Sequence, residues 1–169
     1  KEGVLCVLYD VIVLGATFAA AGIAVAAKDS CLVLDSRPQA GYEFLNALSF
    51  GTNYDSKPIT PEGKALEKAF HARGVFRADT PNLFPCAPVL YGLLQDKHVL
   101  LNMQILSVVY DVDCFTVTAH GVSGYRIFQA KQVVDTRTHA NQLLSSSLNM
   151  IINCPSGTAP SLPAGLRPE

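Results

Sequence analysis

Apolar positions in this chain come in short runs rather than long helical stripes. Asp10-Val11-Ile12-Val13-Leu14 is a β-branched run of the kind that makes a strand buried on both faces of a parallel sheet, and it stops at Gly15. Ala19, Ala20, Ala21 and Gly22 follow, giving a thin helix that can lie close to a sheet. Cys31-Leu32-Val33-Leu34 is a second apolar run, closed by Asp35. Strand, glycine turn, small-residue helix and strand form a β–α–β unit.

Beyond Asp35 the pattern turns irregular and then helical. Residues 37–41 are a loop, residues 42–48 begin a short helix, and residues 51–58 are polar and turn-rich. Thr60-Pro61-Glu62 has the form of a helix start: a capping hydroxyl, proline at the first helical position and an acid in the first turn. That helix is expected to reach about Arg73, to bury Ala65, Leu66, Ala69 and Phe70, and to end at Gly74. Another starts near Pro85 or Cys86, carries Val89, Leu90, Leu93 and Leu94 toward the core, and stops before His98.

From Val99 the spacing becomes that of strands, expected at residues 99–102, 104–110, 114–120, 125–130 and 132–135. Short connections at 111–113 and 121–124 join three of them into an antiparallel meander, and Val133-Val134-Asp135 returns to the main sheet. The fold class is therefore α/β, Rossmann-like, with a central parallel sheet and a three-stranded antiparallel β-meander. Residues 1–153 make one domain, and a last apolar strand is expected at 148–154. Residues 154–169 are a Pro/Gly-rich tail that cannot close a domain by itself.

Composition narrows the function. With 169 residues there is room for one well-buried core, and 49% apolar against 16% charged residues describes much buried sheet. A formal charge of −1 leaves no footprint for nucleic acid or an anionic membrane, so neither is an expected partner. Residues 4–27 carry a single charge over 24 positions, but Asp10 and Gly15 fit a strand and buried helix better than a membrane span. Five cysteines, an odd number without Cys-x-x-Cys, point to reduced thiols and a cytoplasmic setting. His71, His98, His120 and His139 have no ligand spacing, so no metal site is expected.

The candidate chemistry lies at the first turn. The amides that open the helix after Gly15 have no intrahelical partner and carry the positive end of its dipole, which suits a pyrophosphate. Asp35 falls twenty residues after Gly15, the spacing expected of a carboxylate that accepts from adenosine ribose hydroxyls, and it favours the form without a 2′-phosphate. A full Gly-x-Gly-x-x-Gly fingerprint is not present: its glycine places hold Gly15, Thr17 and Ala20. Thr17 either bonds a phosphate oxygen through its hydroxyl or narrows the site until nothing binds. Plainer roles exist for each residue. Asp35 is also what a surface carboxylate at a strand end looks like, and Arg37 what a solvated loop charge looks like. Thr17 and Phe18 suit helix-start packing, and Glu43 suits a surface acid. His120 and His139 read as solvent-exposed, and Tyr42 and Tyr91 as packing residues.

In the order of its elements the chain resembles the FAD-binding half of the FAD-dependent oxidoreductases of the glutathione-reductase-like superfamily, as a truncated or split-subunit member. The resemblance spans roughly residues 9–153 and rests on four places. These are the Gly15 turn, the Asp35-Ser36-Arg37 ending with Gly41-Tyr42-Glu43 after it, Pro88 to Leu94 leading to Leu101-Asn102-Met103-Gln104-Ile105, and Gly124 through Ala130 to Thr136. It implies FAD as cofactor. Gly15, Thr17 and Phe18 correspond to the phosphate turn, and Asp35, Ser36 and Arg37 to the adenosine ribose. The backbone at Ile105 corresponds to the adenine edge, Glu43 to the pyrophosphate and ribityl side, and Thr136 to a second phosphate-side turn. Two departures accompany it: Thr136-Arg137-Thr138 lacks the glycine usual there, and no Gly-Asp pair occurs in the sequence.

Three readings follow. The first is the FAD-binding portion of a flavin-dependent oxidoreductase, a hetero-oligomer component whose flavin and substrate site is completed by a second protein chain, its substrate unread. The second is a non-catalytic scaffold subunit that has lost flavin. The third is an NAD-binding domain, which the meander and the acid-x-basic pair disfavour.

Overall fold

The computed structural model describes residues 7–46, 57–77 and 80–137, without the side chains of residues 77, 80 and 81. The strand expected at 148–154, the tail, the end of the helix expected at 42–48, Cys6, Cys154 and His139 lie outside these residues.

The first β–α–β unit forms as its pattern predicts. Strand β1 is Leu8–Leu14, helix α1 is Phe18–Ala27, and β2 is Cys31–Leu34, parallel to β1. The helix starts three residues after Gly15, because Thr17 is extended and caps it, its hydroxyl accepting from the Ala20 amide. Helix α2 is Tyr42–Leu45, and α3 is Pro61–Ala72 with Thr60 capping it. On α3, Phe70 is buried and Leu66 and Ala69 are partly covered, whereas Ala65 is exposed, one helical step away from Leu66 on the solvent side. Two short antiparallel strands, β3 (Phe76–Arg77) and β4 (Thr80–Pro81), have no counterpart in the apolar pattern. Helix α4 (Cys86–Leu94) buries Val89, Leu90 and Leu94 as expected.

The remaining strands are β5 (His98–Leu100), β6 (Gln104–Asp111), β7 (Cys114–Gly121) and β8 (Gly124–Asp135). β5 ends before Asn102, which adopts a left-handed φ of 56° that breaks the run expected at 99–102. The two strands expected at 125–130 and 132–135 are one. Lys131, which interrupts the apolar alternation, points outward and bonds Asp10 across the ladder at 2.6 Å.

The six strands are ordered β5-β2-β1-β8-β7-β6. β5, β2, β1 and β8 run parallel, and β8, β7 and β6 form the antiparallel meander. Val11, Val13, Cys31 and Val33 pack on one face against α1 and α4, through Ala16, Ala20, Ala21, Ala24, Leu90 and Leu94. Ile12, Leu14, Leu32 and Leu34 face the other way and are covered by Met103 and by Val117, Ala119, Phe128 and Ala130 of the meander. The parallel strands thus lie between helices and meander. Each fully buried aliphatic side chain there contributes roughly 1.5–3 kcal/mol. A smaller cluster of Phe70, Val75, Cys86 and Val89 ties α3 to α4, and Phe18 packs against it from the start of α1.

Candidate functional site

Three parallel strands, β2, β1 and β8, end side by side, and in open α/β sheets that end is where ligands bind. At the end of β1 the chain turns sharply at Gly15, with φ of 96° and its amide donating to the Leu34 carbonyl at 2.7 Å. A Cβ at Gly15 would stand 2.8 Å from Arg137 Cγ and 3.1 Å from Thr136 Oγ1, so only glycine fits under the residues that leave β8.

Asp35 is 2% exposed and its carboxylate ties this turn to β2. Oδ2 accepts from the Ala16 amide at 2.6 Å, and Oδ1 accepts from the Arg37 amide at 2.9 Å. Each oxygen keeps capacity for a second donor. The next residues are held too: the Met103 amide donates to the Asp35 carbonyl and the Asn102 amide to the Arg37 carbonyl. Ile105, two residues farther on and half-buried, follows at the start of β6. Ser36 is exposed beside it, and the Arg37 guanidinium lies 4.2 Å from the centre of the Tyr42 ring.

Around the N-terminus of α1 stand Thr17, Phe18, Glu43 and Thr136. The Thr17 hydroxyl donates to Thr136 Oγ1 at 2.8 Å as well as capping α1, and the Thr136 hydroxyl in turn lies 3.1 Å from the carbonyls of Leu14 and Gly15. Thr17 is 6% exposed, so its side chain is turned into the structure. The Phe18 amide donates to Glu43 Oε1 at 2.6 Å, while its ring stacks near Phe44 and Phe70. Glu43 reaches it because Gly41, at φ of 72°, kinks the loop and docks its amide on the Ala16 carbonyl at 2.7 Å. A Cβ there would meet Leu90 at 2.6 Å. Burial pushes the Glu43 carboxyl above the usual glutamate range.

Eight of the nine residues singled out from sequence therefore lie around the ends of β1, β2 and β8 and the loops that follow, and Ile105 stands at the start of β6. One further residue belongs with them. Arg137 crosses over Gly15, its guanidinium bonded to Asp135 at 2.7 and 2.9 Å, a contact that holds its charge more firmly than usual. A basic residue immediately after the strand that neighbours β1 was the available signal. The amides of Thr17 and Ala19 carry no hydrogen bond to a described residue, and amides at a helix N-terminus can donate to an anion. Among the described residues no three His, Cys, Asp or Glu side chains are arranged to hold a metal, and no helix is long and apolar enough to cross a membrane. The Cys86 thiol, pushed up to about 12 by burial, is inert.

No family model and no curated protein sequence matches the chain. Its fold matches solved structures. It is similar to DfoA, the cadaverine monooxygenase of the desferrioxamine pathway from Erwinia amylovora, solved bound to FAD, with a TM-score of 0.52 and 18% identity over 76% of this chain and 35% of that one. It is similar to the ornithine N-hydroxylase KtzI of Kutzneria sp. 744, described as KtzI-FADred-NADP+-L-orn, with a TM-score of 0.51 and 12% identity over 76% and 37%. The anhydrotetracycline hydroxylase OxyS from Streptomyces rimosus matches with a TM-score of 0.50 and 16% identity over 76% and 31%. The chain spans about a third of the length of each of these three.

Proposed function

We propose that this chain is the FAD-binding portion of a flavin-dependent oxidoreductase. The observation that carries the reading is the convergence of the Gly15 turn, the Asp35 carboxylate and the Thr136–Arg137 corner around the N-terminus of a ten-residue helix. These residues fit a dinucleotide. The Asp35 oxygens have spare acceptor capacity for ribose hydroxyls, and the free amides of Thr17 and Ala19 with the Arg137 cation suit a pyrophosphate. The flavin, when bound, supplies the redox chemistry, and the protein's part is to hold and orient it. A further polypeptide segment, from a second chain or from a substrate domain, covers the flavin ring and selects the substrate. Support for that part is the share of the FAD-bound neighbour's length, 35%, that this chain matches.

A second reading, a scaffold that assembles without flavin, is favoured by one observation. Asp35, Thr17 and Glu43 already occupy the amides of Ala16, Ala20 and Phe18. The visible absorption spectrum of gently purified protein, with chromatography of what it releases on denaturation, separates the two. Flavin bands yielding FAD, lost in Asp35→Ala, support the first reading. A colourless protein that gains no colour with added FAD overturns it.

A further inference from the structure

The N-terminus of α1 takes acceptors from two elements. Thr17 caps the Ala20 amide, and Glu43, from the first turn of α2, holds the Phe18 amide. The other oxygen of that carboxylate, Oε2, is buried and has no hydrogen-bond partner among the described residues. A half-buried carboxylate with one oxygen left over among the described residues suits a group that changes partner or charge when a ligand arrives.

We propose that Glu43 is a built-in counter-anion: it holds the Phe18 amide that a nucleotide's pyrophosphate would use, and when the pyrophosphate enters the carboxylate takes a proton and gives that amide up. The inference rests on the dinucleotide reading above. The surrounding groups set its direction. Burial raises the Glu43 pKa most, the Phe18 amide, its own amide and Arg37 oppose the rise, and Asp35 adds to it. An incoming pyrophosphate adds negative charge and raises the pKa again. Binding therefore takes up a proton, and affinity climbs as the pH falls through the Glu43 titration.

Glu43→Gln keeps an oxygen that accepts from Phe18 and removes the charge. FAD and, separately, ADP are titrated calorimetrically into both proteins at a series of pH values from about 5 to about 8. Two buffers of different ionisation enthalpy count the protons taken up. The variant is expected to bind roughly tenfold tighter at the higher pH, one pKa unit of coupling. The gap closes at the lower pH, and only the wild type takes up a proton. Equal affinities at every pH without proton uptake, or weaker binding by the variant, overturn the inference and leave Glu43 as a structural cap. The expected pattern with ADP but no binding of FAD keeps the inference and removes the flavin reading. No binding of either ligand by either protein overturns both. Should the variant fail to fold, proton uptake by the wild type decides.

Discussion

In β1 and β2, the eight residues at 11–14 and 31–34 are at most 7% exposed. In the meander, Leu106, Val109, Tyr110, Tyr125 and Ile127 are more than half exposed. Both regions are apolar strands, and the difference lies in what covers them. Helices α1 and α4 close one face of the parallel strands and the inner face of the meander closes the other, so alternate residues of β1 enter two separate clusters. The meander spends Val117, Ala119, Phe128 and Ala130 on that closure, and its outward face meets no second layer among the described residues. Apolar sequence therefore makes core in one region and surface in the other.

Substitutions test how far that contrast extends to energetics. Ile12→Ala opens a cavity between meander and parallel strands, and it is expected to cost about 2–5 kcal/mol by denaturant unfolding. A cost near zero would mean that the meander is not firmly seated. Thr17→Ala removes both the cap of α1 and the hydroxyl that reaches Thr136. The expected loss is about 1 kcal/mol, and an unchanged midpoint would show the hydroxyl network to be energetically idle. Ile127→Ser on the outward face should alter stability by no more than ~0.5 kcal/mol. A loss as large as that of Ile12→Ala would show that something covers this face in solution and would erase the contrast.

The parts of the fold legible in the sequence were those whose signals are local. Gly15, the alanine-rich helix and Asp35 stand within about two dozen residues of one another, and each element follows from its own composition. Thr60-Pro61 set the start of α3 in the same way. The continuity of β8 was not legible, because Lys131 looks like a break until Asp10, 121 residues earlier, is seen beside it. The candidate site divides likewise. The Gly15–Asp35 pairing could be read from spacing. The aim of Glu43 at Phe18 depends on the left-handed kink at Gly41, and the Thr17–Thr136 contact joins residues 119 positions apart. Arg137 over Gly15 depends on the order in which the strands lie, which no local pattern carries.

Strand β8 has twelve residues, about 40 Å at the usual rise and roughly twice the common strand length. At Gln129 and Ala130 it is paired on both sides at once, with Thr116 and Phe115 of β7 and with Leu8 and Tyr9 of β1. The meander and the parallel strands thus hang from one continuous spar, with no loop between them in which torsion could relax. Its far end runs directly into Thr136 and Arg137. In mechanical terms the molecule's outer apolar surface and the Thr136–Arg137 corner over Gly15 are two ends of the same rod.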